Sequence, residues 1–289
     1  MNPIITCPEV VGHEGPLLLI DVRHSLTDPT AGIMAYAKGH LPGAAFLSVD
    51  EELSGEPSPG NGGRHPLPKP EVFAQRLAEL GATEDTLLVA YDDQGGLFAS
   101  RFWWLARWIG HLRVAVLDGG LRAWVESGGP LKADEFKASK AGKMSVRPSL
   151  CPRWNLEMIE AWVAASSNPE FAVLVDARAA ERFRGEVEPI DPVAGHIPGA
   201  INRPYLQNLD DQGRFKAPSA LRDEFTAMLG EVDPTSVVHS CGSGISACHN
   251  LLAMEAAGLA GSALYPGSWS EWCGRASPDW SMKPETKSP

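Results

Sequence analysis

A chain of 289 residues with 44% apolar side chains is long enough for two domains with sizeable cores and too apolar for a disordered one. Its 25 Lys and Arg against 36 Asp and Glu leave a formal net charge of -11, which gives no electrostatic reason to bind nucleic acid or an anionic membrane. No apolar run approaches the roughly 20 residues of a membrane span, and Met1 to Val10 holds no basic segment, so a cytoplasmic protein is expected.

In chain order, the first half alternates short apolar runs with helical stretches. Leu17-Leu18-Leu19-Ile20-Asp21-Val22-Arg23 is followed by Gly39-His40-Leu41-Pro42-Gly43-Ala44. Glu71 to Leu80 predicts an amphipathic helix, with Val72, Phe73, Leu77 and Leu80 on one face and Gly81 ending it. Leu87 to Asp92 predicts a strand, and Leu97 to Trp108 a second helix carrying Phe98, Phe102, Trp104 and Leu105. Val116 to Trp124 closes the half. Lys132 to Pro152 is polar and reads as a linker, which places domains at 1–135 and 153–289 with 136–152 between them.

The second half repeats the first. Val173-Leu174-Val175-Asp176-Ala177-Arg178 matches the first run, and Gly195-His196-Ile197-Pro198-Gly199-Ala200 matches the Gly-His-Leu-Pro-Gly-Ala block. Ser236 to Cys241 matches Leu87 to Asp92, and Leu264 to Trp272 matches Val116 to Trp124. Blocks recurring in one order mark a tandem duplication, and their alternation with helices predicts α/β domains with mainly parallel sheets. Leu156 to Ala165 and Ser219 to Leu229 are the matching helices. His40 and His196 occur in both halves, so a structural turn is expected of them rather than catalysis.

The halves differ at one position. Asp92 stands where the second half has Cys241, so chemistry is expected of the second domain alone, and Asp92→Asn is expected to leave turnover nearly untouched. After Val237 and Val238 comes Cys241-Gly242-Ser243-Gly244-Ile245-Ser246, then a helix from Ala247 to Ala257 with Gly258 at its end. Glycines can turn backbone N–H groups inward, and the following helix adds the positive end of its dipole; both favour a thiolate. The alternatives are a buried inert cysteine and a phosphatase loop. The latter needs an arginine where Ala247 stands and is excluded. The five cysteines, Cys7, Cys151, Cys241, Cys248 and Cys273, show no paired metal spacing and are odd in number, against both a zinc site and a disulfide framework. Cys248 reads as packed core, with a resolving thiol as the lesser alternative.

This loop resembles the active-site loop of the rhodanese superfamily of sulfurtransferases. Its Cys-Gly-Ser-Gly-hydrophobic-Ser-Ala form is similar to 3-mercaptopyruvate sulfurtransferases, whereas thiosulfate-specific rhodaneses usually carry Arg and Lys after the cysteine. The resemblance spans nearly the whole chain and implies tandem rhodanese-like domains, each a mainly parallel sheet flanked by helices, with the first covering the active site of the second. It implies that Cys241 takes sulfur from a small anionic donor as a persulfide and passes it to cyanide, a small thiol or reduced thioredoxin, with no metal or organic cofactor. Gly242, Gly244, Ile245 and Ser246 would cradle the substrate. Arg182, and with it Arg184, would hold the donor's anionic group. Relatives carry a second arginine where this chain has Ile190. Asp50, His65 and Ser243 match a proposed Asp-His-Ser proton relay. The alternatives are a thiosulfate:cyanide sulfurtransferase with the same nucleophile, and a rhodanese-like binding module without turnover.

Overall fold

The computed structural model describes residues 2–57, 62–138, 140–165, 168 and 171–275. The expected second domain therefore ends, at residues 276–289, outside the described residues. Two parallel sheets carry the fold. The first contains β1 (Ile4–Ile5), β2 (Leu17–Asp21), β3 (Ala45–Phe46), β4 (Leu87–Tyr91) and β5 (Val114–Leu117) in the order β1-β5-β4-β2-β3. The second contains β6 (Val173–Asp176), β7 (Ile201–Asn202), β8 (Val237–Ser240) and β9 (Ala263–Leu264) in the order β7-β6-β8-β9. Matching β2 to β6, β3 to β7, β4 to β8 and β5 to β9 gives the same strand order twice. The extra strand β1 pairs with β5, and Arg153 bridges to Leu264 at the corresponding edge of the second sheet. Central strands β4 and β8 are buried along their whole length, β4 as a continuous apolar run and β8 with His239 and Ser240 buried beside Val237 and Val238.

The repeated sequence blocks have a shared physical job. Arg23 is locked to Asp21 and donates to Gly39 O at 2.8 Å; Arg178 is locked to Asp176 and donates to Gly195 O at 2.7 Å. Each strand-end Asp-x-Arg thus pins its own Gly-His-x-Pro-Gly turn. The histidines complete that turn: His40 stacks on Tyr36 with Nδ1 2.9 Å from its carbonyl, and His196 stacks on Phe183 with Nδ1 2.7 Å from its carbonyl.

The predicted helices form within two residues of their expected bounds, as Pro70–Glu79, Ala99–Trp108, Leu156–Ala164, Pro218–Leu229 and Ser246–Ala256. Helices Ala99–Trp108 and Ser246–Ala256 follow the matching loops of the two halves and pack on each other. Each is squeezed between its own sheet and the other half, so residues 99–106 and 247–254 are buried on every face and share one core cluster. Segment 140–152 runs along the first half, where Gly142 N–H donates to Ala78 O at 2.7 Å and Arg147 N–H to Ile109 O at 2.9 Å.

Asp92 is fully buried in the first half's counterpart of the cysteine loop. Its carboxylate accepts N–H groups from Gln94 (2.8 Å), Gly96 (2.9 Å), Phe98 (2.8 Å) and Ala99 (2.9 Å). The degenerate loop is still an anion cradle, filled by its own side chain. Asp92→Asn turns an amide NH₂ toward two of those donors and should cost about 3 kcal/mol. Urea unfolding should register that loss while turnover per folded molecule stays near wild type. An unfolding free energy unchanged within about 0.5 kcal/mol would deny the cradle its structural weight.

Candidate active site

Cys241 follows β8 directly, at the carboxyl end of a central parallel strand, and is 2% exposed. Gly244 takes φ +76°, which turns its N–H back onto Cys241 Sγ at 3.1 Å. A Cβ there would also lie 2.4 Å from Pro266 O, so this position requires glycine twice over. Helix Ser246–Ala256 begins just beyond, with its N-terminal end toward the loop. Ile245 and Cys248 are buried, and Cys248 Sγ donates to Gly244 O at 3.3 Å. Burial pushes the Cys248 thiol up to about 12, so it stays protonated at neutral pH.

Ser268 supports the cysteine from below. Its hydroxyl accepts Cys241 N–H at 3.0 Å and donates to Tyr265 O at 2.9 Å. Its φ of +54° is a left-handed conformation that costs a non-glycine residue energy, and the matching residue of the first half, Gly120, has the same φ. Strain was accepted here where a hydroxyl contacts the cysteine backbone.

The first domain closes over this loop. A Cβ on Gly63 (φ +72°) would lie 2.4 Å from Ser270 Oγ, and Arg64 N–H donates to Ser270 Oγ at 3.0 Å. That docking carries His65 to Ser243, with Nδ1 2.7 Å from Oγ. His65 Nε2 is 3.4 Å from Asp50 Oδ1, so the three expected relay residues are in line. Burial, aided by cationic Arg101 and Arg64 and by His24, lowers His65 to about 3. The imidazole is therefore neutral at physiological pH. With its Nε2–H facing the carboxylate, Nδ1 is left to accept from Ser243, which suits a proton relay better than a standing acid.

Two guanidinium groups lie over Gly242: its Cβ position is 3.1 Å from Arg64 Nη2 and 3.7 Å from Arg182 Nη1. Asp191 pairs with Arg64 and, at 3.4 Å, with Arg182, whose Nη2 also donates to Glu188 Oε1 at 2.6 Å. Arg182 Nε is buried without a hydrogen-bond partner among the described residues. Arg184 points elsewhere: its side chain is 54% exposed and pairs with Glu186. Ile190 is exposed as well. Sequence reasoning missed Arg64, Ser268 and Asp191. Only Arg64 carried a signal, as the neighbour of His65 in a Gly-rich loop.

Both halves match the family model described as the rhodanese-like domain, over residues 11–127 and 160–275. The chain belongs to the rhodanese family. It is a tandem-domain sulfurtransferase, as its relatives are. It is 44% identical over 263 residues to the probable 3-mercaptopyruvate sulfurtransferase of Pseudomonas aeruginosa, covering 90% of each chain. It is 38% identical over 275 residues to the putative thiosulfate sulfurtransferase SseB of Mycobacterium tuberculosis, covering 93% of each. The crystal structure of SseA from Escherichia coli, titled as a 3-mercaptopyruvate sulfotransferase, superposes with a TM-score of 0.75 at 30% identity, over 93% of this chain and all of that one. For a sulfurtransferase of this family the geometry is apt. One sulfur receives the Gly244 N–H, two guanidinium groups stand over the same loop, and His65 links its serine to Asp50.

Proposed function

We propose that this sulfurtransferase takes sulfur from 3-mercaptopyruvate onto Cys241 and passes it to a thiophile. Arg64 and Arg182 hold the donor's carboxylate, with the unpartnered Arg182 N–H available to it. The Cys241 thiolate attacks the donor sulfur, the carbon–sulfur bond breaks, and its electron pair leaves as the enolate of pyruvate. The proton on the donor's own thiol reaches that carbon through Ser243 and His65, so that thiolate and mercaptopyruvate become persulfide anion and pyruvate and the step balances. Cys241 is left as a persulfide, its charge held by Gly244 N–H and the helix end. Cyanide, a small thiol or reduced thioredoxin then removes the outer sulfur in the cytoplasm.

The observation that carries this reading is the Ser243–His65 contact of 2.7 Å backed by Asp50. An enolate needs a proton, whereas sulfite departs without one. The second reading is thiosulfate as donor, and Arg64 favours it: the loop is neutral in sequence, yet an extra cation from the first domain stands over it. Asp191 and Glu188 offset that charge, which keeps the monoanion ahead.

Single-turnover sulfur uptake from each donor, read by intact mass, tests the choice. Mercaptopyruvate should give the higher kcat/KM, and His65→Ala should slow it at least tenfold more than it slows thiosulfate. Arg64→Leu should raise the KM for mercaptopyruvate about 30-fold or more, as loss of a charged contact to a buried anion costs roughly 2–5 kcal/mol. If thiosulfate is the better donor and His65→Ala is silent with both, the relay fails and thiosulfate becomes the reading to hold.

A further inference from the structure

Arg101 sits in the first turn of helix Ala99–Trp108, whose leading N–H groups are already taken up by Asp92, Gly96 O and Phe98 O. It is fully buried and makes no ion pair with a carboxylate among the described residues. Placing a guanidinium there is unfavourable on each count. Its hydrogen bonds go to four carbonyls: Gly244 O at 3.1 Å, His65 O at 3.0 Å, and Leu53 O and Pro66 O at 3.4 Å each. These carbonyls belong to the three segments that build the site. Gly244 is the residue whose N–H contacts Cys241 Sγ, and His65 is the one that meets Ser243.

We propose that Arg101 is the positioning residue that joins the two domains at the reacting sulfur, fixing Gly244 against His65 and supplying the buried positive charge opposite Cys241. The role rests on Cys241 being the sulfur carrier. The ionisable groups that interact with Arg101 are the thiols of Cys248 and Cys241 and the imidazole of His65, and Cys248 is held protonated. The other cations facing the loop are already neutralised: Arg178 by Asp176 and Glu188, Arg182 by Glu188 and Asp191, and Arg64 by Asp191. His65 is neutral, and burial pushes the nearby Cys273 thiol up to about 11. Among the described residues that act on Cys241, Arg178 carries carboxylate partners and Arg101 carries none, which leaves the Arg101 charge to Cys241 as thiolate and, after sulfur transfer, as persulfide. A planar fork is needed because two of the carbonyls, Gly244 O and His65 O, lie on different domains.

The test is the pH dependence of Cys241 alkylation by iodoacetamide, located by peptide mass, beside single-turnover sulfur uptake from mercaptopyruvate. Arg101→Met should move the alkylation midpoint up by one pH unit or more and slow uptake at least tenfold. Arg101→Lys should return the midpoint to within half a unit of wild type but keep the slow uptake, since it restores charge without the fork. A folded Arg101→Met protein with the wild-type midpoint overturns the proposal. Should Arg101→Met fail to fold, Arg101→Lys decides alone, and wild-type uptake by that variant overturns it. Wild-type protein that gains no sulfur on Cys241 refutes the carrier reading instead, and the alkylation profiles still judge Arg101.

Discussion

Cys241→Ser is expected to gain no sulfur from any donor and to lose turnover by a factor of about 10⁴ or more, the scale on which removal of a covalent nucleophile is felt. A serine hydroxyl stays protonated at neutral pH. The single N–H aimed at the sulfur, from Gly244 at 3.1 Å, cannot make it an alkoxide. No second thiol can stand in, because Cys248 is fully buried and protonated and donates to Gly244 O. The fold should survive, since Ser268 binds the backbone N–H of residue 241 rather than its side chain. Intact-mass measurement with donor alone checks the uptake, and urea unfolding checks the fold. A folded variant that still takes up one sulfur atom would remove Cys241 from the mechanism.

The protein should also be strongly acid-labile, because three buried imidazoles are neutral in the folded state. Burial is the largest cause in each. His65 and His239 are lowered to about 3, and His249 to about 4. His239 Nε2–H donates to Met254 Sδ at 3.1 Å, and its buried Nδ1 meets no partner among the described residues, so a second ring proton would go unpaired. His249 is stacked on Phe215 and reaches across the domain interface to Gly95 O at 3.0 Å. Below the ordinary histidine pKa of about 6.5 the unfolded chain binds protons that the folded one refuses, so stability falls as pH falls. Each group takes away up to about 1.4 kcal/mol per pH unit between 6.5 and its folded value. Three together reach about 4 kcal/mol per unit, against a typical total of 5–15 kcal/mol. Unfolding is expected near pH 5. Urea unfolding from pH 7.5 to 5.5 should show that slope, and His249→Gln should flatten it by about a third. A stability that does not change over this range would mean the imidazoles are not neutral and buried together. The same neutrality removes any His65 limb near pH 6.5 from the pH–rate profile.

What the sequence by itself determined is local. Apolar runs closed by Asp-x-Arg are strands whose arginine folds back onto its own aspartate, two residues away. Cys241 followed by two nearby glycines and a helix is a cradle whose geometry needs only contiguous residues. The duplication was legible because each repeated block serves its own half. Position along the chain also singled out His65 and Asp50, although only through resemblance, since neither has a local signature. Tertiary structure decided whatever depends on segments meeting across the interface. Arg182 and Arg184 are two residues apart, yet only Arg182 turns toward Gly242, because Glu188 and Asp191 hold it there. Asp92 reads in the sequence only as an absent nucleophile, and the structure adds that its carboxylate fills its own cradle. Arg64, Arg101 and Ser268 come from elements with no sequence proximity to Cys241. Their charges and hydroxyl gain meaning only when two domains exclude water around one sulfur, and no spacing rule along a single chain encodes that meeting.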